Sequence, residues 1–319
     1  MITFLASPKP FNGIAKENQY RAIQSWLNTG ENVEVILYGD SDGIEEAGRE
    51  LGVRVVKQIS CAPSGIPYFG SIVAHAADNG KYDLQIYLNC DILLAGISQA
   101  LSKIEFPMYL LIGQRIDLAN DFFIDLREKG WKQQLTHLVK DGNATLHAPT
   151  GIDYFAFRRG MWLDVPSIII GRGGYDQALL AYCMKMRIPI VDGTFIVTAL
   201  HQFHDYNHLQ GGEEVVMRGA DASNNISIAR IKRSSPVVSD ADYVLKKYQV
   251  QAWPCRGDWL RHLELIMRYN RGWIKVALVL RFIWRGLNMI GLTGAQQLSI
   301  EDIMTDLVNN EKNDFVIRM

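Results

Sequence analysis

A chain of 319 residues, 48% hydrophobic and 21% charged, has the composition of a folded protein with a large core, and leaves no ground for a disordered or fibrous reading. Its 33 basic and 34 acidic residues give a formal charge of −1, which excludes a surface devoted throughout to nucleic-acid phosphates. Four scattered cysteines, Cys61, Cys90, Cys183 and Cys255, form no CxxC pair, so neither a zinc ribbon nor a disulfide framework is expected and a reducing cytoplasm fits best.

The opening residues, MITFLASPKPFNG, carry no basic leader and read as a first strand over 2–6 instead of a signal peptide. Further apolar runs lie at 33–38, 53–56, 84–88 and 108–113, with helical periodicity between them at 14–27, 44–51, 68–79 and 97–104. That alternation predicts βαβ units and a mostly parallel sheet flanked by helices. Ligands of such open sheets bind beyond the carboxyl ends of the strands, so the polar residues after each strand become candidates: Ser7 to Asn12, Gly39 to Asp42, Asn89 to Asp91, and Gln114 to Asp117. Further on, the pattern predicts a helix over 122–139, strands at 154–157 and 188–192 with a helix over 175–186 between them, a loop-rich linker over 211–225, and a helical region over 240–290.

Three stretches carry chemistry. In YLNCDILL, Asn89 and Asp91 stand one residue apart at the tip of a buried strand and share a side of the pleat. They can jointly hold a hard cation such as Mg2+ or Mn2+, which keeps open positions for phosphate oxygens, or else simply close an Asx turn. TALHQFHDYNH spaces His201, His204 and His208 by three and four, one face of a helix. A dedicated zinc centre lacks a further ligand there; a single histidine completing a metal shell with Asp91 is the better expectation, and a polar cluster that merely caps the sheet is the alternative. IGRGGYDQALLAYCMKM runs a glycine-rich loop into an amphipathic helix with Asp176 in its first turn. There the helix dipole favours a carboxylate, which either caps the helix or takes a proton from an acceptor hydroxyl. Arg115, after the fifth strand, offers a planar fork suited to phosphate or a solvated strand end.

Taken in order, NQYRAIQSWL, VILYGD, IPYFGSIVAHA, YLNCDILL, TGIDYFAF, GGYDQALL and IVDGTFIVTALHQFHDYNH resemble a bacterial GT-A glycosyltransferase of the nucleotide-diphospho-sugar transferase group, over about residues 1–210. The resemblance implies a Rossmann-like GT-A domain over 1–215, followed by a linker and helical accessory region over 216–319. It implies transfer of a sugar from a nucleotide-sugar donor to a hydroxyl, on a glycan or lipid-linked acceptor, with Mn2+ or Mg2+ as cofactor. The D-x-D element of that fold falls on Asn89, Cys90 and Asp91, and the replacement of its first aspartate by Asn89 leaves Asp91 as the metal residue. The glycine loop falls on Thr150, Gly151, Ile152 and Asp153, and the acidic base element on Gly174, Tyr175 and Asp176, of which only Asp176 is carried over. His201 or His204 would complete the metal shell. Ser7, Pro8 and Asp40 would hold base and ribose beside Asn89, Asp91, Arg115 and Asp153.

Two other readings compete. A nucleotidyltransferase normally shows a basic glycine-rich loop after the first strand, where SPKPFNG has one lysine and one glycine, and an inactive nucleotide-sugar-binding protein is kept alive by Asn89. At the other end, residues 256–285 hold seven basic side chains against two acidic ones, with tryptophans at 253, 259, 273 and 284. This mixture suits an in-plane helix on an anionic membrane, so a cytoplasmic enzyme, peripheral on the inner face of the membrane, is expected. Packing against the catalytic domain is the alternative.

Overall fold

The computed structural model describes residues 1–119, 122–204, 212–229, 235–247, 249–270 and 272–316. The chain begins β1 (Ile2–Ala6), α1 (Gly13–Leu27), β2 (Val33–Tyr38), α2 (Ile44–Leu51), β3 (Arg54–Val56), α3 (Phe69–Asn79) and β4 (Leu84–Leu88). There follow β5 (Ile92–Ala95), α4 (Ile97–Leu101), β6 (Leu110–Ile112), β7 (Ile116–Leu118), α5 (Trp131–Lys140), β8 (Ala144–Leu146), β9 (Tyr154–Arg158), α6 (Tyr175–Met186), β10 (Ile190–Asp192) and β11 (Thr198–His201). The remainder is α7 (Gly212–Arg218), α8 (Ala220–Ile228), β12 (Tyr243–Lys246), β13 (Gln249–Ala252), α9 (Trp259–Tyr269), α10 (Ile274–Met289) and α11 (Ile300–Val316).

The architecture is the expected α/β one, a large, mostly parallel sheet flanked by helices with further helices at the C-terminal end. The nine-stranded sheet runs β13-β12-β10-β6-β9-β4-β1-β2-β3. β9 runs antiparallel to both its neighbours, and β13 is antiparallel to β12. β1 is buried along its whole length, as expected of a parallel strand covered on both faces. Trp26 of α1 stacks on Phe4 at 5.9 Å and donates its indole N–H to the carbonyl of Ile92 at 2.8 Å, which locks α1, β1 and β5 together. A second sheet, β5-β11-β7-β8, branches off here. It matters for function because β5 starts just after Asp91, β7 carries Asp117 and β11 ends on His201.

Four elements depart from the sequence-based expectation. Residues 122–130 are not helical, because the Asp125 carboxylate accepts the backbone N–H of Arg127 at 2.9 Å and forms an Asx turn, so the helix starts only at Trp131. The expected linker over 211–225 is instead largely the helices α7 and α8. Buried Asn225 fixes α8 by accepting the N–H of Ile169 at 2.9 Å and donating to its carbonyl at 2.8 Å. The region 240–290, expected to be helical, opens with the β12–β13 hairpin, which extends the main sheet beside β10 through a turn with Lys247 at φ 51°. His201 ends a strand, so the three-histidine helix face does not form, and His208 lies outside the described residues.

The basic surplus near the C-terminus is also largely internal. Arg261, Arg268 and Arg281 all pair with buried Glu264, at 3.1, 2.5 and 3.2 Å, and Arg261 also pairs with Asp240 at 2.8 Å. Arg256 is buried against Asp192 at 2.8 Å. These arginines neutralise the protein's own carboxylates, as buried charges must. No helix among the described residues is long and apolar enough to cross a membrane.

Candidate active site

The carboxyl ends of β1 and β4 meet the end of β11 around Asp91, which is 8% exposed. Its Oδ2 accepts from the Lys9 ammonium at 3.2 Å and lies 3.2 Å from Nε2 of His204, while its Oδ1 is buried without a hydrogen-bond partner. Ligand atoms of Asp91, His201 and His204 all lie within 4.8 Å of one another. Burial would raise the Asp91 carboxyl, but the ammonium of Lys9 and the imidazoles of His204 and His201 outweigh it and hold the carboxyl well below the ordinary carboxylate range.

A divalent metal fits these residues. One carboxylate and two imidazoles are a donor set for such ions, and an unpartnered buried carboxylate oxygen is costly unless a cation or water reaches it. The imidazole of His201 is oriented for ligation as well. Its Nδ1 faces Oδ1 of Asp117 at 3.3 Å, leaving Nε2 for an ion, as outer carboxylates commonly arrange for metal-binding histidines. Asp117 in turn contacts Nδ1 of His147 through its Oδ2 at 2.6 Å. Burial alone would raise Asp117, and the hydrogen bonds to His147 and His201, together with the Arg115 charge, drive it far below its usual value.

The rest of the cluster runs from Asp117 to α6. Arg115 donates to Asp117 at 2.8 Å and to Asp153 at 2.8 Å. Asn89 donates to Asp153 at 2.5 Å and accepts from the Tyr175 hydroxyl at 3.1 Å, which brings the chain to Asp176 in the next position. Gly174 enters α6 at φ 81°, a conformation L side chains rarely adopt, and Gly151 lies so close to His147 that a Cβ would stand 2.3 Å from its ring. Asp176 accepts from the side chain of Gln177 at 2.8 Å, and its carboxyl is pushed up to about 7, chiefly by burial and further by the negative charge of Asp153.

Several residues expected in the site thus converge: Asn89, Asp91, Arg115, Asp153, Asp176, His201 and His204, with Tyr175 joining them through Asn89. Asn89 does not share a cation with Asp91, because the chain turns at that point, with the N–H of Ile92 donating to the carbonyl of Asn89 at 3.2 Å, and its amide faces Asp153. The Arg115 fork, expected on phosphate, is engaged by two carboxylates. Ser7 lies beside Gly39, whose ideal Cβ would be 3.6 Å from the serine hydroxyl, and Pro8 is buried. Asp40 is exposed and pairs with Lys57 at 2.8 Å, at the rim of the β1 and β2 ends.

Sequence reasoning put Lys9 and Asp117 inside candidate strand-end stretches without giving either a role, and it missed His147 and the amides that hold the cluster. Gln19 accepts the Lys9 N–H at 2.7 Å and donates to the Lys9 carbonyl at 3.0 Å. Asn18 donates to the carbonyl of Phe203 at 2.9 Å, and Gln202 donates to the carbonyls of Asn18 and Asp91 at 2.9 and 3.1 Å. A signal for them existed. Asn18 and Gln19 stand on the same stripe of α1 as Ala22, Ile23 and Trp26, where polar residues are retained only when they have buried partners.

No protein family and no curated protein matches this chain. Among solved structures it is similar to glucosyl-3-phosphoglycerate synthase of Mycobacterium tuberculosis at 14% identity and a TM-score of 0.43, over 80% of this chain and 87% of that one. The same enzyme in complex with Mn2+, UDP and glucosyl-3-phosphoglycerate is similar at 15% identity and 0.43, over the same shares. A protein of Desulfovibrio desulfuricans assigned to the nucleotide-diphospho-sugar transferases is similar at 15% identity and 0.38, over 72% of this chain and 96% of that one.

Proposed function

We propose that this chain is a metal-dependent glycosyltransferase of the GT-A type, acting on a nucleotide-sugar donor. The observation that carries the reading is the convergence, at the carboxyl edge of a largely parallel sheet, of a metal-suited Asp91–His201–His204 triad and a carboxyl of near-neutral affinity, Asp176. Mn2+ or Mg2+ held there would neutralise charge on the leaving diphosphate. The strand ends at Ser7, Pro8 and Asp40 would receive the nucleoside. In an inverting displacement the acceptor oxygen bonds to the anomeric carbon as its bond to the diphosphate breaks, Asp176 takes the acceptor proton, and the electron pair leaves on the nucleoside diphosphate. Asn89 and Arg115 act as positioning residues through Asp153.

The test is a screen of nucleotide sugars by melting temperature, with Mn2+ and with a chelator, followed by donor hydrolysis. A donor present at about a hundred times its Kd stabilises by about 2.7 kcal/mol, or roughly 5 °C, and the shift is expected to need the metal. If no nucleotide or nucleotide sugar shifts the transition, the reading fails.

The second part of the reading places the enzyme on the inner face of an anionic membrane, where a lipid-linked acceptor in polysaccharide or glycolipid synthesis would present its hydroxyl. The support is apolar exposure. Along α10, Leu278, Val279, Phe282 and Met289 are exposed, Phe282 by 82% and Met289 by 86%, and no acidic residue lies between Glu264 and Glu301. Removing everything after residue 251 would strip Arg256 from Asp192 and Arg261 from Asp240, so exposed substitutions give the cleaner test. The wild type is expected to sediment with phosphatidylglycerol vesicles, and the double variant Val279→Glu, Phe282→Glu to stay in solution with an unchanged melting curve. Equal behaviour of the two proteins would remove the membrane from the reading.

A further inference from the structure

A lysine stands where the metal is expected. The Lys9 ammonium is 3.2 Å from Oδ2 of Asp91 and 3.3 Å from Nε2 of His204, and those two atoms are themselves 3.2 Å apart, so the three form a nearly equilateral triangle. The backbone that presents this side chain is fixed, because Lys9 is held at both its N–H and its carbonyl by the buried amide of Gln19. A divalent ion held by Asp91 and His204 would stand close to that ammonium, because the three side-chain atoms are already within 3.3 Å of one another. At such a distance a divalent ion and an ammonium repel strongly, while each alone neutralises Asp91.

We propose that Lys9 is the resident counter-ion of the metal site: its ammonium occupies the Asp91 carboxylate, and metal binding must turn it out. The inference rests on the metal-dependent reading above. Lys9 leaves the end of β1, the strand end assigned to the donor, and its side chain retains 35% exposure, so the displaced ammonium has room to move toward a diphosphate. Two consequences follow. Metal alone binds weakly, because it competes with a charge already in place. Metal and nucleotide together bind synergistically, because the diphosphate gives the displaced ammonium a new partner.

The experiment is calorimetric titration of Mn2+ into the full chain, with and without UDP and GDP, for wild type, Lys9→Met and Lys9→Arg, each checked by its melting curve. Lys9→Met removes the competing charge at similar length and is expected to bind Mn2+ about tenfold or more tightly without nucleotide. The gain in Mn2+ affinity on adding nucleotide should shrink in the same variant. Lys9→Arg keeps the charge and should remain as weak as wild type. If wild type binds Mn2+ and Lys9→Met binds it no more tightly, or Lys9→Arg matches Lys9→Met, the counter-ion role is overturned and the metal reading stands. If no protein binds Mn2+ even with nucleotide, the metal reading falls and this inference with it.

Discussion

Asp91→Ala is expected to abolish measurable Mn2+ binding and to cut turnover by about a thousandfold or more, since under the proposed function several kcal/mol of charge neutralisation at the leaving group would depend on that carboxylate. The fold should survive. Asp91 lies just beyond β4, Lys9 is exposed enough to find water, and the surrounding backbone is held by Gln202, whose amide bonds to the main chain of Asp91 and not to its side chain. A cost of about 1–3 kcal/mol is expected from stranding the two imidazoles and the ammonium. Because the folded-state affinity of Asp91 for protons is depressed, its stabilising contribution is present above the ordinary value near 3.8 and is lost as pH falls further. The gap in melting temperature between wild type and variant should therefore narrow in acid. Mn2+ affinity and turnover both near wild type would sink the metal assignment.

The division between what was legible in the sequence and what was not follows the range of the interactions. β1, β2, β4, α1, α2 and α6 announce themselves by local periodicity, and their boundaries agree closely with the pattern of apolar residues. The strands of the small sheet, β5, β7, β8 and β11, are three or four residues long, too short for a period to register, and they exist because they pair with partners as distant as Ile92 and His201. The β12–β13 hairpin is of the same kind. Asp91 and Asp176 were legible because each sits at the end of a strongly patterned element. Lys9 and Asp117 were legible only as members of polar stretches after a strand, and His147 not at all, since a lysine in a loop, an aspartate in a three-residue strand and a histidine after another carry no local signature of what they will face. The arginine-rich end misled for the same reason: Asp192 and Asp240, which neutralise Arg256 and Arg261, are 64 and 21 residues away.

Asp176→Asn is expected to lower turnover by about 100- to 10,000-fold with little change in donor affinity, since a general base acts on the acceptor proton and does not hold the nucleotide. Asparagine keeps an oxygen for the Gln177 amide, so the first turn of α6 should remain as it is. The pH dependence is the sharper readout. With the folded-state carboxyl pushed up to about 7, the ionised form that accepts a proton accumulates only as pH rises through that value, and the wild-type rate should climb there. Stability should move in the opposite direction. Between the ordinary value of 3.8 and about 7 the folded protein holds a proton that the unfolded chain has lost, so stability falls as pH rises across this window, and the penalty is complete above it. Asparagine cannot ionise, and Asp176 is half-buried, so at pH 8 the variant is expected to be more stable than wild type by on the order of 1–3 kcal/mol. Below about pH 4 the two should melt together. A protein that becomes inactive and more stable through one oxygen-to-nitrogen exchange holds its carboxylate for chemistry at the expense of the fold. If donor binding vanishes with turnover, or the wild-type rate is flat through pH 7, Asp176 serves the donor site or the helix, and the proton goes elsewhere.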